Sequence, residues 1–255
     1  MNLVVCLKQV PQQNSVRIAA DHAVDASGIE PIISLFDEYA IEEALLWGER
    51  LGANVTVLSI GDPGWSDSMR RALAMGANDA MLIHDAACAE LDAHATAQVA
   101  AAAIRRIGDV GLVFCGRNST DDETGAFVPA LARALGWAQA TYVGAIQHLD
   151  AATAQVERHL EDEVEQLEVQ LPAVLSVVKG INEPRYPSLV RIRRVARAPI
   201  PTLTLAELGM APPTPATRVV RRVPPAARPA SELLAGDAAT QVRTLVDRLR
   251  DAQVL

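Results

Sequence analysis

One ten-residue stretch concentrates the groups best suited to hold a ligand: Gly116-Arg117-Asn118-Ser119-Thr120-Asp121-Asp122-Glu123-Thr124-Gly125. It follows the apolar run Val110–Cys115 and leads into a helical pattern. Free amides at a helix start, small hydroxyl side chains and a glycine can together bind a phosphate. The same residues also make ordinary helix caps, and three acids oppose a bare phosphate cradle. Spacing leaves both readings open, and it matches neither a P-loop nor the dinucleotide glycine fingerprint. Two other loops, Ser34-Leu35-Phe36-Asp37 and Ser59-Ile60-Gly61-Asp62, share this character. Each alone is a common turn. All three, however, fall at the expected rim of one sheet, which points to a nucleotide site.

Catalytic sets are poor. His22, His84, His94, His148 and His159 share no metal-ligand spacing, and His84 reads as a capped or solvated loop residue. There is no Gly-x-Ser-x-Gly elbow and no cysteine beside an obvious base. The acidic run Glu161–Glu165 reads as a solvated hairpin turn. Cys6, Cys88 and Cys115 lie too far apart for a zinc or disulfide framework. The expectation is binding without catalysis and without a metal.

The elements that must position these loops alternate along the first 137 residues. Strand-like runs are Leu3–Lys8, Asn54–Ile60, Ala80–His84 and Val110–Cys115. Helical patterns cover Phe36–Leu51, Ser66–Met75, Asp92–Ile107 and Glu123–Leu135, with glycine after the first, second and last. Continuous apolar strands between amphipathic helices predict a doubly wound, mainly parallel α/β sheet. Its ligand site belongs beyond the carboxyl ends of the strands. Thr141–Leu149, Ala154–Leu160 and Val164–Leu171 then read as an antiparallel addition, and Ala173–Val178 as another strand of the main sheet. From Gly180 the chain is Pro- and Arg-rich, with eleven prolines in 172–229. The expected organisation is an α/β nucleotide-binding domain over 1–198 and an extended arm over 199–255. The arm ends in an amphipathic helix near Ala238–Leu249 and packs on a partner subunit.

The 255 residues, 50% hydrophobic, suffice for one large core. No run approaches the roughly 20 apolar residues that span a bilayer. Without a charged leader or paired cysteines, the expectation is a cytoplasmic protein with no membrane insertion. Net charge is −8 but uneven. Residues 1–181 carry 25 acidic and 11 basic side chains, net −14, whereas 182–255 carry 6 and 12, net +6. Such asymmetry marks an interaction surface. The basic part has no reading element for nucleic acid, so no nucleic-acid partner is expected.

Several motifs resemble the β subunit of electron-transfer flavoproteins, including the nitrogen-fixation-associated relatives. They are Val5-Cys6-Leu7-Lys8-Gln9-Val10-Pro11, Phe36-Asp37-Glu38-Tyr39-Ala40-Ile41-Glu42-Glu43-Ala44, Arg71-Ala72-Leu73-Ala74-Met75-Gly76-Ala77, Val156 through Ser176, and Asn182-Glu183-Pro184-Arg185-Tyr186-Pro187-Ser188-Leu189. The resemblance covers about residues 1–209. It implies an adenine-nucleotide-binding Rossmann-like fold paired with a larger α subunit that holds most of an FAD. It further implies that this subunit buries a structural AMP against Cys6, Ser34, Leu35, Phe36, Asp37, Ile60 and the loop from Gly116 to Phe127, Ala126 included. Residues near Gln9–Gln13 would approach the flavin, and Leu189 would anchor a flavin-dependent dehydrogenase. The implied function is an electron carrier, accepting electrons from such dehydrogenases and passing them to a quinone reductase or another acceptor. Two alternatives stand beside it: an electron-bifurcating flavoprotein with a second FAD in the AMP pocket, and a stand-alone adenine-nucleotide sensor. In the phosphate loop, Asp122-Glu123-Thr124-Gly125-Ala126-Phe127 departs from the family's glycine and glutamine pattern. An added carboxylate there disfavours extra phosphate unless it faces solvent or a cation, which favours AMP.

Overall fold

Strands buried on both faces need apolar residues at every position, and the first strand shows why. In β1 (Asn2–Cys6), Leu3 and Val5 enter one layer while Val4 enters the other. In the computed structural model, which describes residues 1–12, 16–19, 21, 23–223, 226 and 230–255, the chain forms two compact units, Met1–Arg221 and Arg222–Leu255.

The first unit is built on a nine-stranded sheet. Its parallel part comprises β1, β6 (Asn54–Ile60), β7 (Asp79–Ile83), β8 (Val110–Gly116), β12 (Ala173–Val177) and the short β13 (Thr202–Leu203). β9 (Ala138–Leu149) runs parallel to β12 and then carries the antiparallel pair β10 (Thr153–His159) and β11 (Val164–Gln170). The order is β11-β10-β9-β12-β8-β1-β6-β7-β13. Sequence order reverses direction at β1 and β8, and that reversal is the switch point where an α/β sheet opens a crevice.

α1 (Leu35–Leu51) and α2 (Ser66–Met75) cover one face, joining Ile41, Leu45 and Met69 to Leu3, Val57, Phe114 and Leu175. α3 (Ala93–Ile107) and α4 (Phe127–Leu135) cover the other, joining Ala100, Ile104 and Leu131 to Val4, Leu58 and Val113. A small antiparallel ribbon of β2 (Gln9–Pro11) and β5 (Pro31–Ile33) follows β1, and β3 (Arg17–Ile18) pairs with β4 (Val24–Asp25). Gln13 and His22, named in the sequence reading, lie outside the described residues, as do Pro224, Pro225 and Pro229.

Three differences from the sequence expectation stand out. The fourth helix begins at Phe127, not Glu123, because Glu123 and Gly125 adopt φ of 51° and 63° and cannot continue a right-handed turn. Within the Pro/Arg-rich stretch, Ser188 caps a short helix, α5 (Leu189–Val195), which packs on α2. Residues 199–221, assigned in expectation to the arm, lie within the first unit. β13 hydrogen-bonds to β7 through Leu82 N–H to Pro201 O and His84 N–H to Leu203 O, both 2.9 Å, and Leu205 is buried. An edge strand tolerates proline where the ladder needs only its carbonyl.

In the second unit, α6 (Ala238–Asp251) is capped by Asp237, and Arg248 pairs with Glu232 at 2.7 Å. Val242 and Leu245 of α6 and Leu233 before it are exposed. Among the described residues, no helix is long and apolar enough to cross a membrane.

Candidate functional site: a cavity at the switch point

The carboxyl ends of β1, β6, β7 and β8 open onto one cavity of about 530 Å³, within the usual range for small-molecule sites. Asp37, in the first turn of α1, fixes the two central ends. Its carboxylate accepts the Lys8 N–H at 2.8 Å and the Gly116 N–H at 3.1 Å, tying β1 to β8. Burial raises the Asp37 pKa to about 7, although those two amides and the Lys8 charge pull the other way. Gly116 is required by the same contact: a Cβ there would meet Asp37 Oδ1 at 2.5 Å and the Phe36 backbone at 2.8 Å.

The rim after β8 is a folded loop. Glu123 N–H bonds Ser119 O at 3.0 Å, and Asp122 Oδ1 accepts Thr124 N–H at 3.2 Å. Lys8 reaches across from β1, its Nζ 2.8 Å from Asp121 and 3.4 Å from Asp122 and the Ser119 hydroxyl. Asp122 is held below the usual carboxylate range: partial burial pushes it up, but Lys8 and the loop's hydrogen bonds pull it further down. The Arg117 guanidinium stacks over Phe36 at 4.9 Å and over Tyr142 at 5.7 Å.

On the opposite side, His84 Nδ1 lies 3.0 Å from Gly61 O, linking the ends of β6 and β7. Asp62 and Asp85 each accept a backbone amide two residues on, from Gly64 and Ala87. The Trp65 indole lies against Gly61, where a side chain would collide with it. Cys6 and Cys115 line the floor from adjacent strands, and the Cys115 thiol is pushed well up by its bond with Cys6 and by burial.

Of the residues singled out from sequence, Cys6, Asp37, Ile60, Gly116, Arg117, Asn118, Ser119, Asp122, Thr124, Gly125 and Phe127 line the cavity. Asp121 is joined to it through Lys8, and Phe36 through Arg117. Ser34, Leu35, Thr120, Glu123 and Ala126 belong to the same loops without lining it. Ser34 is buried with its hydroxyl unpartnered, and Leu35 is exposed. Leu189 is 73% exposed at the first position of α5 and takes no part in the cavity. Sequence reasoning missed Lys8, Trp65, Asp85, Cys88 and Thr96, and it treated His84 as a solvated loop residue although it lines the cavity. The signal for His84, Asp85 and Cys88 was present, since the carboxyl end of β7 is a fourth rim of the same sheet.

The family model for the electron transfer flavoprotein domain matches residues 21–208. The chain belongs to the electron-transfer flavoprotein β-subunit family. It is 36% identical, over the whole of both chains, to an electron transfer flavoprotein subunit beta from Thermoanaerobacterium thermosaccharolyticum. It is 34% identical, again over the whole of both, to the caffeyl-CoA reductase-Etf complex subunit CarD of Acetobacterium woodii. Protein FixA of Azorhizobium caulinodans is 35% identical over 82% of this chain and 77% of its own length. An electron-transfer flavoprotein subunit moves electrons through a flavin; its residues bind and position. The lack of a nucleophile–base pair in the sequence accords with that role.

Proposed function

We propose that this chain is the small subunit of a heterodimeric electron-transfer flavoprotein. It binds a structural AMP in the switch-point cavity and helps enclose an FAD held mainly by an α subunit. The pair takes electrons from flavin-dependent dehydrogenases, which dock around Leu189, and delivers them to a quinone reductase or another acceptor. The observation that carries the AMP assignment is the junction at Asp37, where two strand ends and the phosphate-side loop meet around one cavity. The residues fit an adenylate. Gly116 leaves backbone open to close approach, Ser119 and Thr124 offer hydroxyls, and Cys6, Ile60 and Phe127 give the cavity apolar walls for a base. Exposed Leu189, Val190 and Tyr186 beside Arg193 and Arg194 support a docking face.

Co-expression with the neighbouring α chain tests this. The expected product is a yellow one-to-one heterodimer with one flavin and one AMP, reducible by a dehydrogenase and its substrate. A colourless monomer without nucleotide overturns the proposal. Two flavins and no AMP overturns the AMP assignment and favours the bifurcating alternative.

A further inference from the structure

Charge is unevenly matched along the loop side of the cavity. The Lys8 ammonium is shared between the carboxylates of Asp121 and Asp122, leaving this cluster one negative charge in excess. The acids are held in place: Asp122 accepts from the Thr124 amide, and the loop backbone closes between Glu123 and Ser119. Arg117, the other strong base on the cavity wall, is engaged over the Phe36 and Tyr142 rings. Asp37, Asp62 and Asp85 line the rest. A phosphate entering beside Ser119 meets amides and one shared ammonium. Each further phosphate adds negative charge beside fixed carboxylates that are only partly exposed, with no further free cation among the described lining residues.

We propose that the Lys8–Asp121–Asp122 cluster limits this cavity to a nucleotide with a single phosphate, selecting monophosphates against diphosphates and dinucleotides. The inference rests on the reading of the cavity as an adenylate site. Lys8 sets specificity by holding the two acids at the loop; neutralising those acids frees its charge for a second phosphate.

The full chain, stripped of co-purifying nucleotide, is titrated calorimetrically with AMP, ADP and FAD. The unaltered chain binds AMP at least about tenfold more tightly than ADP or FAD, a difference of 1.4 kcal/mol per tenfold. The double variant Asp121→Asn/Asp122→Asn raises ADP affinity and brings the AMP-to-ADP ratio close to one. Lys8→Met weakens both ligands together. An unchanged ratio in the double variant overturns the inference, as does an unaltered chain that takes ADP or FAD as readily as AMP, or a Lys8→Met variant of undiminished affinity. Those outcomes leave the adenylate reading standing, whereas an unaltered chain that binds no adenine nucleotide removes both. Thermal melting without ligand checks each fold, and Asp122→Asn alone replaces the double variant if that one does not melt cooperatively.

Discussion

Asp37 joins two strands through a carboxylate that burial makes costly to ionise. Its folded pKa of about 7 exceeds the ordinary aspartate value, so its contribution to stability is complete below about pH 4 and lost as pH rises through 7. Asp37→Asn removes that titration. Denaturant unfolding from pH 5 to pH 8 is therefore expected to show the unaltered chain losing stability relative to the variant, by up to about 1.4 kcal/mol per pH unit. A pH-independent difference between the two proteins would refute this. Gly116→Ala tests the same junction sterically. The added methyl meets α1 backbone that cannot yield as a flexible side chain would, so a loss of about 1–3 kcal/mol is expected in the same assay. The sequence marked Asp37 and Gly116 as rim residues but gave no sign that they touch. Their contact spans 79 positions and exists only because β1 and β8 are neighbours.

Among the elements, α1 has two occupations. Its first turn faces the cavity, while Glu42, Glu43 and Glu49 hold the segment leading to α5. Arg185 pairs with Glu42 at 2.9 Å and Glu49 at 2.6 Å, and Asn182 bonds Glu43 at 2.9 Å. Glu42 is buried, so Arg185→Ala strands a carboxylate and is expected to cost about 3 kcal/mol. Arg185→Lys restores only part of this, since an ammonium cannot span both glutamates as the guanidinium does. Urea midpoints of the two variants check the order. Helices such as α1 and α3 were legible because apolar periodicity and flanking caps agree. β13 and α5 were hidden because prolines and arginines dominate their composition. The edge position of β13 and the single hydroxyl cap of α5, Ser188, made them possible. The loop acids at 121–123 were read as a helix start, because positive φ at Glu123 is invisible to a helical pattern.

For the whole molecule, the charge asymmetry and the exposed apolar residues of the second unit belong together. Leu233, Val254 and Leu255 are largely solvent-exposed, in the same basic third of the chain as α6. Under the proposed function this surface meets the α subunit. Ending the chain after Arg221 is expected to leave the melting temperature of the first unit within a few degrees while abolishing co-purification of the α subunit. Undiminished pairing after that truncation overturns the assignment of residues 222–255 to the partner. The doubly wound class was readable because alternate residues of every central strand had to satisfy two apolar layers. The sequence did not show that residues 199–221 fold back onto the sheet.

Of the chain's three tryptophans, Trp65 alone borders the cavity; Trp47 is buried on α1, bonded to Glu43, and Trp137 follows α4. A variant with Trp47→Phe and Trp137→Phe therefore carries one intrinsic fluorophore at the mouth of the site. Its emission reports any aromatic base that stacks nearby, without a label or a coupled reaction.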